Sequence, residues 1–352
     1  MNTRLSRLIK SIEKNNFFYI ANPLDIFYLS GFSGSFARLL ISNEKKFFIT
    51  DKRYNGVAEK LGVDKLFEII VTNNYKKEIK KIIKKSKKIL ISPQTSLTEY
   101  LWLKDSGYEP HVSNKIMNLR MIKDENEIEL IKKSIEITEK GILHILSILK
   151  NNIIEKEIAD EFEYYIKKIG ADSVSFTPII AFGKNSAVPH YKTNTTKLKE
   201  NSIILIDVGA KYKGYCSDLT RVIGYRIIKN HLKKYISYYN IVKTAKNKSV
   251  LLCKNRNLTK KPYFFVKKYL NNYGLDKFFT HSLGHGIGLD IHEIPFINQK
   301  SVLKFKPGMI ITCEPGIYFQ NEFGIRIEDN YLITEKKLLK LSSLSDEIII
   351  KD

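Results

Sequence analysis

In the segment IILIDVGAKYKGYCSDLTRVIG, residues 203–224, two apolar runs flank a turn-forming stretch, and the pattern predicts a β-hairpin. A turn centred on Tyr212-Lys213, with Gly214 free to take a positive φ, sets Asp207 opposite Asp218. Directly opposed residues have Cβ atoms roughly 4.5–5.5 Å apart. Two like charges at that distance repel by about 3 kcal/mol at an effective dielectric near 20, and aspartate is a poor strand former. A cation between them relieves the repulsion. Two carboxylates on a solvated face would need no cation, but the Ile-rich flanks argue against that face being solvated.

The segment MIITCEPGIYFQNEFGIRIEDNYLIT repeats the arrangement, because pairing about Asn321 sets Glu314 opposite Glu328. A bulge would shift either pairing by one residue. Between the hairpins lies HSLGHGIGLDIHEIP, residues 281–295, with His281, His285 and His292, three of the seven histidines. Gly284, Gly286 and Gly288 make a helical zinc motif improbable and predict backbone held close to a ligand or to another strand. Four carboxylates and one imidazole carry too much negative charge for one divalent ion. They suit two, and oxygen-rich ligation favours Mn²⁺-like or Co²⁺-like metals. Two such ions about 3.5–4 Å apart can hold a bridging hydroxide at neutral pH and polarise a carbonyl beside it. The chemistry expected is metal-assisted hydrolysis.

The elements that must position these residues form two blocks. Residues 17–50 alternate apolar runs (FFYI, IFYL, LLIS, KFFIT) with turn-like stretches and read as short strands. Lys-rich helical patterns and the strands FEIIV and KILIS continue a small α/β domain to about residue 115. Asp124 and Glu127 then predict a capping box. It opens a long amphipathic helix through Ile128, Ile131, Ile135, Ile142, Ile145 and Leu149, the start of a second, α+β domain. A further helix is expected over 154–169, ending at Gly170, and a helical stretch over about 230–272 interrupts the strands that follow Pro178.

Composition narrows the function classes. The 352 residues are 43% hydrophobic and 27% charged, which excludes a disordered or collagen-like chain. Lys+Arg 59 against Asp+Glu 37 gives +22, which invites a nucleic-acid reading. Only 9 of those cations are Arg, however, and Lys, Ile and Asn are abundant throughout, as composition bias would produce. The run Lys76–Lys88 alternates apolar and basic residues as a solvated helix face does. Nucleic acid is therefore not an expected partner. Cys216, Cys253 and Cys313 are odd in number and far apart, so neither a disulfide framework nor a zinc knuckle is indicated and a reducing cytoplasm fits. No apolar run approaches the ~20 residues of a membrane span, and the basic N-terminus lacks a signal-peptide core.

Several motifs in order now add a resemblance over essentially the whole chain. DVGAKYKGYCSDLTR, HSLGHGIGLDIHEIP, CEPGIY and GIRIED, with YLSGFSGSFARLLI, FITDKRY and LRMIKDENEIELIKKS ahead of them, resemble the pita-bread metallopeptidases of the Xaa-Pro aminopeptidase (aminopeptidase P) and Xaa-Pro dipeptidase (prolidase) group. The resemblance implies a creatinase-like, ribonuclease-H-like α/β domain over 1–120 and an α+β pita-bread catalytic domain with a curved antiparallel sheet over 121–352. It implies that Asp207 ligates one metal, that Asp218 and Glu328 bridge both, and that His285 and Glu314 complete the second. It further implies that His190, His281 and His292 orient the scissile carbonyl, stabilise the oxyanion and deliver a proton to the leaving nitrogen. It also implies that Glu314 takes a proton from the attacking water, while Arg326, two residues before Glu328 and so on the same strand face, is expected to anchor a substrate carboxylate, to brace a metal ligand or to form a structural salt bridge. Asp290, Glu293 and Asp329 match no ligand position, and Cys216 and Cys313 are expected in the packing.

The expected cofactors are two divalent ions, Mn²⁺ first and Co²⁺ or Zn²⁺ next. The expected reaction is hydrolysis of the Xaa-Pro bond at a peptide N-terminus by a metal-bridging hydroxide, with Xaa-Pro dipeptide cleavage as the alternative. Peptides with proline second are the expected partners, without membrane, and a homodimer accords with the family's oligomers. Methionine aminopeptidases generally lack the leading domain and creatinase lacks the metal set. Non-catalytic relatives, such as a histone-chaperone subunit and ribosome-associated factors, typically lose the ligands and bind partners instead.

Overall fold

Asn22 and Pro23 show how short signals set the N-terminal elements. Asn22 accepts a hydrogen bond from Asp25 N at 3.0 Å, Pro23 opens the helix and Gly31 closes it at φ 74°, so IFYL lies in a helix, not in the expected strand. The computed structural model describes residues 3–14, 16–83 and 88–351. Its chain falls into two units, Met1–Arg120 and Met121–Asp352.

The first unit runs α1 (Thr3–Ser11), β1 (Phe17–Ile20), α2 (Pro23–Ser30), β2 (Arg38–Ile41), β3 (Lys46–Thr50), α3 (Asn55–Lys60), β4 (Glu68–Val71), α4 (Tyr75–Ile82), β5 (Lys88–Ile91), α5 (Leu97–Asp105), β6 (Glu109–Val112) and α6 (Lys115–Met121). The sheet order is β4-β3-β2-β1-β5-β6. β2 is antiparallel to both neighbours and the remaining pairings are parallel. Leu5, Leu8 and Ile12 are buried, as the N-terminal periodicity requires. Ile79 and Ile83 are the buried side of the Lys-rich run, whose residues 84–87 lie outside the described residues.

The second unit opens with α7 (Glu125–Ile148), where both halves of the Asp124–Glu127 capping box form. Ile131, Ile135, Ile142 and Ile145 are buried. α7 packs on α8 (Glu155–Lys168) at Gly141, where an added Cβ would meet Phe162 at 2.4 Å. There follow β7 (Ser173–Val174), β8 (Ile179–Phe182), β9 (Ser202–Val208), β10 (Ala210–Tyr212), β11 (Tyr215–Cys216) and β12 (Leu219–Tyr225). The expected helical stretch is two helices, α9 (Lys229–Val250) and α10 (Lys260–Asn271). The chain continues with β13 (Gly284–Gly286), β14 (Glu293–Ile297), β15 (Ile310–Cys313), β16 (Gly316–Phe319), β17 (Phe323–Arg326), β18 (Asp329–Ile333), β19 (Leu338–Lys340) and β20 (Ile349–Lys351). Helices α9 and α10 contribute Tyr239, Val242, Val266 and Leu270 to a core shared with Ile311, Ile317, Ile325 and Ile327. Burying each such side chain contributes about 1.5–3 kcal/mol.

The largely antiparallel β-structure of this unit is divided into hydrogen-bonded groups: β20-β12-β9-β8, β14-β13-β15-β18-β19, β16-β17 and β11-β10-β7. Among the described residues of this unit only β12 and β20 pair in parallel. The interruptions between β11 and β12, β15 and β16, and β17 and β18 hold Asp218, Glu314 and Glu328, respectively.

Candidate active site

The hairpin register differs from expectation. Its turn residues are Lys213 at φ 46° and Gly214 at φ 85°, a two-residue turn of the type that needs positive φ at both positions. Asp207 therefore pairs with Thr220, and Asp218 is not its direct partner. A shift of two residues preserves the face, so both carboxylates still point the same way. In the second hairpin Cys313 pairs with Asp329 and Gly316 with Arg326, which is the register expected for opposing Glu314 and Glu328 across the gap. Pro315 has no N–H, and Glu328 N turns to Thr220 O at 3.2 Å, so the ladder opens where the two glutamates stand.

A cavity of about 510 Å³ is lined by Asp207, Asp218, His285, Glu314, Glu328, His190, His281, His292 and Arg326, which are all the residues singled out as metal ligands or catalytic groups. Phe176, Ile179, Ile291 and Phe296 form its apolar wall. The glycines beside His285 make room for neighbouring strands: a Cβ on Gly284 would meet Thr312 O at 2.1 Å and one on Gly286 would meet Ile294 O at 2.4 Å.

The ring of His285 has a defined polarity. Nδ1 lies 3.1 Å from Gly286 O and so donates, which leaves Nε2 as the acceptor, 3.7 Å from both Asp218 Oδ2 and Glu314 Oε1. One ligand atom each from Asp218, His285 and Glu328 fall within 4.8 Å of one another. Burial, then the neighbouring His292, pushes His285 down to about 3, so it is neutral and able to ligate. Burial, then the adjacent glutamate or aspartate charges, raises the carboxylates: Asp218 and Glu314 move well above their usual range, and Glu328 is pushed up to about 7. Asp207 Oδ1, Asp218 Oδ1 and Glu328 Oε1 are buried without a hydrogen-bond partner. Native structures leave few such atoms unsatisfied. Unpartnered oxygens on mutually repelling carboxylates facing a free imidazole nitrogen fit divalent cations.

Arg326 lines the cavity and is tied to the cluster by four hydrogen bonds. Its guanidinium donates to Asp207 Oδ2, to Tyr318 OH at 2.8 Å, to Pro189 O at 3.1 Å and to Thr220 Oγ1 at 3.2 Å. His281 Nδ1 donates to Ser282 O at 2.7 Å, so Nε2 accepts from Tyr318 OH at 2.9 Å. Burial, then Arg326, lowers His281 to about 3. His190 and His292 are exposed at the cavity.

Glu293 ion-pairs with Lys123 at 3.1 Å, both buried, and Asp329 is enclosed by Arg221, Lys246 and Lys340. Cys216 and Cys313 are buried. Three supports escaped the sequence reading. Thr220 Oγ1 donates to Glu328 Oε2 at 2.8 Å, and period-two counting from Asp218 would have placed it on the same face. Tyr318 links Arg326 to His281. Ser134 and Thr138, polar residues four apart on the buried face of α7, bond Ser217 Oγ, beside Asp218, at 3.0 and 2.7 Å and satisfy Ala210 O and N at 2.7 and 2.8 Å.

Fold and site together define a metallopeptidase, a class that works with divalent metal ions, and comparison with known proteins agrees. The family profile of the creatinase/prolidase N-terminal domain matches residues 4–122, and that of metallopeptidase family M24 matches residues 129–335. A protein of Pyrococcus furiosus named Xaa-Pro dipeptidase is 32% identical over 360 residues, covering 99% of this chain and 100% of its own. Among solved structures, an Xaa-Pro dipeptidase from Bacillus anthracis superposes with a TM-score of 0.92 at 31% identity over 99% of each chain. An X-Pro aminopeptidase from Thermotoga maritima gives 0.89 at 33% identity over 99% of each chain. The chain belongs to metallopeptidase family M24, with the pita-bread fold of its C-terminal part preceded by a creatinase-type domain.

Proposed function

We propose that the cavity hydrolyses the bond between an N-terminal residue and proline, and that Xaa-Pro dipeptides are its preferred substrates. The carrying observation is the convergence of four carboxylates and one imidazole with three unpartnered buried oxygens. Asp207, Asp218, His285, Glu314 and Glu328 would hold two divalent ions, with Mn²⁺ favoured by the four oxygen-donor side chains. Bound ions of this kind supply electrophilic activation of a carbonyl and of water.

The chain's own groups do the rest. Glu314, with its raised affinity for protons, accepts one from the attacking water. His190 and His292 orient the carbonyl and carry a proton to the leaving proline nitrogen. His281, with both ring nitrogens engaged, acts through the wall it forms with Tyr318. Arg326 holds Asp207 in place. Proline substrates need such a site because the Xaa-Pro amide has no N–H for a general peptidase to grip. Phe176, Ile179, Ile291 and Phe296 offer the ring an apolar surface.

The dipeptide preference is supported by relatives named for it over their full length. Cleavage of longer peptides, the leading expectation from sequence, is supported by the Thermotoga maritima structure. Residues 121–352 would carry the chemistry. Three free buried cysteines suit a cytoplasmic protein, and a homodimer accords with the oligomers of the family. The test is Mn²⁺-loaded protein on an Xaa-Pro dipeptide and an Xaa-Pro-Yaa tripeptide, with Asp218→Ala as control. Faster dipeptide cleavage that is lost in the variant is expected. If metal-free and loaded samples behave alike and neither peptide is cut, the protein is a binding relative and not an enzyme.

A further inference from the structure

Glu155, the first residue of α8, is a fully buried carboxylate whose hydrogen bonds all go to one loop. Oε1 accepts from Phe182 N and from Asn185 Nδ2, each at 2.8 Å. Oε2 accepts from Tyr191 OH at 2.8 Å and Asn194 N at 3.2 Å. Among the described residues no ammonium or guanidinium pairs with it. Burying a charge without a counterion is costly. Here four donors and the N-terminal end of a helix offset that cost. The loop returns two backbone contacts, Glu155 N to Thr196 O at 3.1 Å and Lys156 N to Asn194 O at 3.0 Å.

The four donors bracket His190. Tyr191 sends its hydroxyl inward to Glu155, while the adjacent His190 lines the catalytic cavity. No side-chain hydrogen bond holds the His190 ring among the described residues, so its aim depends on the backbone that carries it. That backbone is tied at Pro189 O to Arg326 and, on the far side, to Glu155.

We propose that Glu155 is a positioning residue, which acts on substrate only by fixing the loop 182–194 so that His190 faces the reacting bond. This rests on His190 being a substrate-side group. The choice of a carboxylate follows from the donors. An ionised carboxylate only accepts, whereas glutamine of the same shape would turn its NH₂ group toward one pair of donors.

Glu155→Gln and the milder Tyr191→Phe test this in three measurements. On an Xaa-Pro dipeptide, kcat falls about 10- to 100-fold in Glu155→Gln, the scale of losing a supporting partner, while KM and Mn²⁺ affinity by calorimetry stay within about 2-fold. Tyr191→Phe shows the same pattern more weakly. In a double-mutant cycle, Glu155→Gln costs less than about 2-fold once His190 is alanine, because coupled residues are not additive. In metal-free protein, amides of residues 183–194 exchange faster in Glu155→Gln while those of β9 do not. Additive losses, a parallel loss of Mn²⁺ binding, or unchanged exchange over 183–194 would each overturn the proposal. An active His190→Ala enzyme would instead remove the role given to His190 and the proposal built on it. A wild-type protein that cuts neither peptide would fail the peptidase reading, and exchange would then decide whether Glu155 anchors the loop.

Discussion

Asp218, Glu314 and Glu328 are acids held against one another out of water, and their proton affinity is the measurable consequence. A carboxyl whose folded pKa lies above its unfolded value binds more protons in the native state, so stability falls as pH rises through that interval. His281 and His285, pushed down to about 3, act in the opposite sense, but only below the ordinary histidine value of about 6.5. Above that pH only the carboxylate effect remains. Metal-free protein should therefore lose stability from about pH 6.5 upward, and divalent metal should abolish the loss; urea unfolding with chelator and with Mn²⁺ checks both. Arg326→Lys should also be damaging, because an ammonium cannot reproduce a planar fork shared among Asp207, Tyr318, Pro189 and Thr220. A drop of about 10- to 100-fold in Mn²⁺ affinity is expected from calorimetry. The acids and histidines were legible as residue types at suggestive spacings. Period-two counting puts Thr220 on the acid face, but neither its role nor that of Tyr318 was legible, because a hydroxyl carries no charge and gives no motif until its neighbour is known.

At the scale of elements, the acids sit where strands fail. Asp218, Glu314 and Glu328 each occupy a break between two strands, which frees their side chains from ladder geometry and lets them converge. The break beside Asp218 is tight: a Cβ on Gly209 would fall 2.0 Å from Ser217 O. Gly209→Ala should cost about 1–3 kcal/mol through displacement of that backbone, visible in thermal unfolding, and should weaken Mn²⁺ binding with it. The α7 cap belongs to a different class of effect. Asp124→Ala should cost about 1 kcal/mol without touching the metal site, so stability falls and kcat stays. Helices α7 and α8 were legible because capping and periodicity are local. The first hairpin was read two residues out of register because Lys213, a non-glycine, adopts a positive φ that its side chain does not advertise. The segment IFYL reads as a strand because its run is apolar throughout, although Asn22-Pro23 and Gly31 mark a helix.

For the molecule as a whole, ligand binding should dominate stability in the second unit. A metal that binds only the folded chain adds about 2.7 kcal/mol at a hundredfold excess over its Kd. Scanning calorimetry with and without Mn²⁺ should show that rise in the wild type and little of it in Asp218→Ala. The net charge of +22 found no site in the proposed chemistry, whose cavity gathers acids and imidazoles around a single guanidinium. By itself the amino-acid order determined the two-block organisation, the helices with local caps, the residue types of the site and the resemblance that ordered them, because each rests on neighbours a few positions apart or on motifs kept whole. Tertiary structure alone decided that Arg326 binds Asp207, that Thr220 supports Glu328, and that Glu155 grips the His190 loop. Those contacts join residues 119, 108 and up to 39 positions apart in the cases of Asp207–Arg326, Thr220–Glu328 and Glu155–Asn194. Only the packed chain brings such partners within hydrogen-bond reach, and no local rule of spacing encodes which of many candidates will meet.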